Sequence, residues 1–127
     1  MLKILIADDQ LEVRELMEVT LRSEGVKILK AASGEEAINI ARIEKPDLII
    51  MDIMMPGKMD GLEATRILKK DEQTKKIAIL MLSAKGQKSD IKKGLDAGAI
   101  GYFTKPFSPL ELIEKVEELI KGKSLGL

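Results

Sequence analysis

Five times along this chain a short run of apolar residues gives way to a stretch whose apolar positions recur every third or fourth residue. A strand buried on both faces reads as a nearly unbroken apolar run, and an amphipathic helix as a recurrence near 3.6 residues, so strand and helix are predicted to alternate. The first run holds Leu2, Ile4 and Ile6 and ends in Asp8 and Asp9. A helix over 11–24 follows, with Val13, Leu16, Met17, Thr20 and Leu21 at helical spacing and Gly25 as its stop. Residues 26–31 form the second strand; Ser33-Gly34-Glu35-Glu36 has the capping-box pattern and opens a helix to about Glu44, ended by Pro46. The run over 47–51 delivers Asp52 at its carboxyl end, and Asp60-Gly61-Leu62-Glu63 starts the third helix. A strand over 77–82, a helix around Ile91, Leu95 and Gly98, and a strand over 100–103 come next. Ser108-Pro109-Leu110-Glu111 then starts a last helix that reaches about Lys121.

Unbroken alternation implies a parallel sheet covered by helices on both faces and joined by right-handed crossovers. The expected architecture is a flavodoxin-like (βα)5 three-layer sandwich with strand order 2-1-3-4-5, which puts the carboxyl ends of strands 1 and 3 side by side where ligands bind. Those ends carry Asp8, Asp9 and Asp52. The 127 residues suit one domain, taken as 1–122 with a short tail over 123–127. The clean end of the last helix favours a complete protein. Equal numbers of basic and acidic residues, 21 of each, give no basic field to draw the chain to DNA. Without cysteine or histidine, the chain has neither thiol nor imidazole for a metal, and oxygen ligands remain. The opening apolar run is too short for a signal peptide or a membrane span, which places the chain in the cytoplasm.

Three carboxylates gathered at one edge repel one another and call for a positive charge. Hard oxygen ligands with room for water suit Mg²⁺, with Mn²⁺ as the alternative, and such an ion makes phosphoryl transfer to Asp52 feasible. Ser83 and Lys105 follow strands 4 and 5 and belong at the same edge, where one offers a hydroxyl and the other a full charge to phosphoryl oxygens. Taken singly, each has an ordinary explanation: Asp9 as the N-cap of the first helix, Ser83 as a turn residue, Lys105 as a solvated charge. Their convergence on one spot is the specific signal.

The motifs Asp8-Asp9, Asp52-Ile53-Met54-Met55-Pro56, Met59-Asp60-Gly61-Leu62-Glu63, Leu82-Ser83-Ala84 and the run from Gly101 to Phe107 resemble the CheY-like receiver domains of two-component response regulators, here of the stand-alone type. The resemblance spans the whole chain. It implies that Asp52 accepts the phosphoryl group from a sensor histidine kinase or phosphotransfer protein. It also implies that Asp9, Asp52 and the main-chain carbonyl of Met54 hold Mg²⁺, with Asp8 acting mostly through water. Ser83 and Lys105 would grip the phosphoryl oxygens, Tyr102 would turn inward on activation, and the Lys105–Pro106 bond would be cis. A downstream protein would bind the face of the fourth helix, fifth strand and fifth helix of a monomer, with dimerisation on phosphorylation as the alternative.

Two departures stand out. Gly57-Lys58 looks like a one-residue insertion ahead of the third helix, and the positions that tune dephosphorylation are Met54 and Lys85, which predicts slow self-dephosphorylation. Rival readings fare worse. A phosphatase of the haloacid-dehalogenase type needs an acid two residues after its nucleophile, where Met54 stands. A flavin carrier of the same topology needs a first loop that cradles phosphate, which Asp8 and Asp9 would repel. A receiver-like scaffold without phosphorylation normally lacks some of the five site residues, all present here.

Overall fold

The computed structural model describes residues 1–84 and 88–120. Each apolar run is a strand and each intervening stretch a helix: β1 Leu2–Ala7, α1 Leu11–Leu21, β2 Val26–Ala31, α2 Gly34–Glu44, β3 Leu48–Asp52, α3 Gly61–Lys70, β4 Ala78–Ala84, α4 Lys88–Ala97, β5 Gly101–Lys105 and α5 Pro109–Leu119. All pairings are parallel and the order is β2-β1-β3-β4-β5, the flavodoxin-like arrangement that the alternation predicts.

Successive side chains of a strand point to opposite faces, so the pleat splits the core in two. Leu5, Ile49, Met51, Ile79 and Met81 pack with Ala37, Ile38 and Ala41 of α2 and Ala64 and Leu68 of α3. Ile4, Ile6, Leu48, Ile50, Leu80 and Leu82 pack with Met17 and Leu21 of α1 and Leu112 and Val116 of α5. Each fully buried aliphatic side chain contributes about 1.5–3 kcal/mol, which makes the wholly buried β3 and its neighbours the rigid platform of the molecule.

The helix starts follow their local chemistry. Ser33 accepts from the Glu36 N–H at 3.2 Å, and Glu36 reaches back to the Ala32 N–H at 3.3 Å. Asp60 accepts from the Glu63 N–H at 2.9 Å, and Ser108 from the Glu111 N–H at 3.1 Å, each cap being worth about 1 kcal/mol. The loop through Gly57 and Lys58 leads into α3 at Gly61, the start that Asp60 caps, with Gly57 taking a φ of 103° that other residues rarely adopt.

Several boundaries differ from expectation for identifiable reasons. Helix α1 stops at Leu21 because the chain must turn to lay Val26 beside Leu2; the turn uses Gly25 at φ 82°, whose carbonyl accepts from the Leu2 N–H at 2.9 Å. Strands β4 and β5 run past their apolar residues, because Ser83–Thr104 and Ala84–Lys105 continue the ladder. In α4 the buried residue is Gly94 and Leu95 is exposed: the helix sits so close to β4 that a Cβ on Gly94 would stand 2.9 Å from Met81 Cγ. The expected end of the last helix at Lys121 and the tail over 123–127 lie outside the described residues, as does Lys85.

Gly61 ties the fold to the rim of the sheet. Its N–H donates to the carbonyl of Ile53 at 2.9 Å, and a Cβ here would collide with the main-chain carbonyl of Asp52. Backbone yields less readily than a side chain, so Gly61→Ala is expected to cost about 2–3 kcal/mol in urea denaturation and to disturb the resonances of Asp52.

Candidate functional site

The parity that sorts the core continues beyond the strand ends. Asp8 follows Ile4 and Ile6, Asp52 follows Leu48 and Ile50, and Lys105 follows Phe103, all residues of the layer under α1 and α5. The three polar side chains therefore meet on one side of the rim. The Lys105 ammonium lies 2.9 Å from Asp8 Oδ2 and donates to Asp52 Oδ2 at 3.1 Å and to Gln10 Oε1 at 3.0 Å. Its contact with Asp8 is an ion pair without the directed geometry of a hydrogen bond, and Asp8 Oδ2 has no hydrogen bond of its own.

Both carboxyl groups are buried, with Asp8 wholly enclosed and Asp52 5% exposed. Asp8 Oδ1 accepts from the Gln10 N–H at 2.8 Å, while Arg14 Nη1 donates to the Asp8 main-chain carbonyl at 2.7 Å. Asp52 Oδ1 accepts from the Met54 N–H at 3.1 Å, and the Met54 side chain is exposed. Asp9 is exposed and does not cap α1; the N-cap is Gln10, whose side chain makes no cap bond either. One carboxylate oxygen each from Asp8, Asp9 and Asp52 lies within 4.8 Å of the others. That donor set fits a hard divalent cation: all oxygen, surplus negative charge, one buried oxygen without a hydrogen bond, and an exposed third acid that leaves room for water.

Burial, and then the charge of Asp8, push the Asp52 carboxyl up to about 6, although Lys105 and the Met54 N–H pull the other way. Burial alone would lower the Lys105 ammonium, but its contacts with Asp8 and Asp52 outweigh it and hold the amine above its ordinary range. Ser83 is buried in β4 one residue beyond Leu82, the register partner of Asp52, and its Oγ has no hydrogen-bond partner among the described residues. A buried hydroxyl without a partner costs about 1–3 kcal/mol, and Ser83 therefore has donor capacity to spare. Tyr102 lies in β5 and is 41% exposed, and the Lys105–Pro106 bond is cis.

The structure thus joins Asp8, Asp52 and Lys105 directly, with Asp9 alongside and Ser83 on the adjoining strand. Two contributors escape a reading by sequence. Gln10 and Arg14 look like ordinary first-turn residues of a helix, and Gln10 meets its partner across 95 positions of chain.

The site is thus an acidic cluster with a lysine at the carboxyl rim of a doubly wound parallel sheet. The pattern described as "Response regulator receiver domain" matches residues 4–117, and the chain belongs to that family. It is 42% identical to the phosphate regulon transcriptional regulatory protein PhoB of Pseudomonas aeruginosa over 97% of its own length and 53% of that protein's. It is 41% identical to the alkaline phosphatase synthesis transcriptional regulatory protein PhoP of Bacillus subtilis, over 98% and 50% respectively. The chain spans about half the length of these curated relatives. Among solved structures, the chemotaxis response regulator CheY4 of Vibrio cholerae superposes with a TM-score of 0.87 at 32% identity, covering 94% of this chain and 99% of that one. A putative response regulator from Chloroflexus aurantiacus gives 0.86 at 39% identity, covering 92% and 95%.

A carboxyl that ionises less readily in the folded chain than in the unfolded one costs stability once ionised. For Asp52 that cost is absent below its ordinary value of 3.8, builds as pH rises from there to about 6, and is fully present above. It amounts to at most about 3 kcal/mol, and on the order of 1–2 after screening by solvent at the open rim. In thermal melts without metal, Asp52→Asn is therefore expected to be more stable than the parent at pH 7–8, with the gap closing below about pH 5.

Proposed function

We propose that this chain is a phosphorylation-activated switch of a two-component system, in which Asp52 takes a phosphoryl group from the phosphohistidine of a sensor histidine kinase or phosphotransfer protein. The observation that carries this reading is the buried Asp52 carboxylate paired with the Lys105 ammonium at 3.1 Å, with a buried Ser83 hydroxyl on the adjoining strand that has no hydrogen-bond partner among the described residues. An Asp52 oxygen forms a bond to phosphorus as the P–N bond to the donor imidazole breaks; the imidazole nitrogen leaves with the electron pair and takes up a proton. Mg²⁺ or Mn²⁺ held by Asp9, Asp52 and the Met54 carbonyl, with Asp8 acting through water, would supply positive charge for the phosphoryl oxygens. Lys105 and Ser83 donate to those oxygens. The chain turns over nothing but its own phosphorylation and dephosphorylation.

Access supports the same reading. An apolar groove of about 400 Å³ runs between Val13 and Leu16 of α1 and Pro106 and Phe107, with Lys105 in its wall. A protein that brings a phosphohistidine to Asp52 must cover this mouth, and the groove offers its apolar residues a seat. Donor and receiver would meet in the cytoplasm; no helix among the described residues is long and apolar enough to cross a membrane.

Charge-assisted hydrogen bonds contribute about 1.5–3 kcal/mol each, so Ser83 and Lys105 together supply roughly 3–6 kcal/mol. Moving a two-state equilibrium from 1:99 to 99:1 takes about 5.5 kcal/mol, and the downstream protein completes the shift by binding the active form. Its seat is the α4-β5-α5 face, where Tyr102 stands exposed beside Glu111, Glu114 and Glu118. The switch works as a monomer, with phosphorylation-driven dimerisation on the same face as the alternative.

Incubation with acetyl phosphate and Mg²⁺ is expected to add one phosphoryl group by mass. Asp52→Asn or chelation of the metal should abolish the addition; labelling that survives Asp52→Asn would sink the assignment. Met54 presents a thioether that cannot orient a water at the phosphoryl group, so the label should decay slowly. Met54→Asn is expected to shorten its lifetime severalfold, as followed by mass after removal of the donor.

A further inference from the structure

We propose that Gln10 is a positioning residue for Lys105, the fixed acceptor that keeps the ammonium at the mouth of the site; the inference rests on phosphoryl transfer to Asp52. Lys105 has three N–H donors and three oxygens around it: Asp8 Oδ2 at 2.9 Å, Asp52 Oδ2 at 3.1 Å and Gln10 Oε1 at 3.0 Å. Two of these oxygens belong to carboxylates that change partners during the reaction. Asp52 would lose its charge on becoming an acyl phosphate, and Asp8 would share its charge with a cation held by the cluster. The amide oxygen of Gln10 alone keeps the same charge throughout. A lysine stem has four rotatable carbons, so a lysine released by both acids would wander unless something else held it.

The position of Gln10 supplies an independent observation. It is the N-cap of α1, where Ser, Thr, Asp and Asn are preferred because their side chains accept from the first turn. The N-caps of α2, α3 and α5 are Ser33, Asp60 and Ser108, and all three do so. Gln10 makes no side-chain cap bond, and its amide is committed to Lys105 across the rim. Its main chain is fixed from both sides, the N–H donating to Asp8 Oδ1 at 2.8 Å and the carbonyl accepting from Arg14 N–H at 3.1 Å. Arg14 also holds the Asp8 carbonyl, so the acceptor for Lys105 and the buried acid are braced as one unit. Helix α1 forgoes a cap, and Lys105 gains an anchor.

The test uses the full chain and two substitutions. Gln10→Met keeps the length of the side chain and removes the acceptor; Gln10→Ser removes it and restores a capping hydroxyl. Phosphorylation by acetyl phosphate in saturating Mg²⁺, followed by mass, is expected to slow about tenfold in both, because a mispositioned charge is a weak partner for the transferring group. The melting temperature should hold in Gln10→Met and hold or rise by a few degrees in Gln10→Ser, the opposite of a loss caused by damage to the fold. In a Lys105→Ala background, Gln10→Met should change the rate less than twofold. Independently of activity, the Lys105 side-chain ammonium resonance in ¹⁵N–¹H spectra should be sharp in the parent and broadened beyond detection in Gln10→Met. If the parent takes up no phosphoryl group at Asp52, the functional reading falls and this one with it. If the parent is labelled normally and Gln10→Met matches it within twofold, or its loss persists without Lys105, or the ammonium signal stays sharp, the positioning role alone is overturned.

Discussion

Two buried carboxylates face each other at the rim of this sheet, and a single ammonium stands between them. Asp8, Asp9 and Asp52 bring three negative charges within a few ångströms, and Lys105 answers one of them. Burial, and then the neighbouring charge of Asp8, raise the proton affinity of Asp52. The surplus charge is the source of the site's chemistry. It suits a hard divalent cation, and it keeps the Lys105 ammonium charged beside both buried carboxylates.

The rest of the fold supports that crowding. The central strands bury their apolar side chains on both faces, which makes the platform under Asp8 and Asp52 stiff. Gly61 lets the return of the β3–α3 connection press against the Asp52 carbonyl, where any side chain would displace it. The capped starts of α2, α3 and α5 add local stability away from the acids. At α1, beside them, no side chain caps the helix, and a buried hydroxyl on β4 goes without a hydrogen-bond partner among the described residues. Departures from local satisfaction gather where the function is, as expected when a site needs groups held in readiness.

Strand β5 links the site to the outer surface. Phe103 and Lys105 face the α1–α5 layer and the acids, whereas Tyr102 stands exposed beside Glu111, Glu114 and Glu118 of α5. A change in what Lys105 grips is thus made on the same short strand that carries the exposed tyrosine.

Much of this was legible in the amino-acid sequence, because hydrophobic period and capping chemistry are local properties. The runs ending in Asp8-Asp9 and Asp52, the starts at Ser33, Asp60 and Ser108, and the alternation that implies a parallel sheet all depend on neighbours a few residues apart. Ser83 and Lys105 could be placed at the rim once the strands were counted, although the ladders run on through both. What only the tertiary structure decided concerns which surfaces meet. Asp9 reads as a helix cap and is not one; Leu16 and Leu95 read as core and stand exposed, one beside Pro106 and Phe107, the other on a helix held close by Gly94. The side chain of Gln10 turns to Lys105, 95 residues away, and no local pattern encodes a bond between the ends of two elements that only folding brings together.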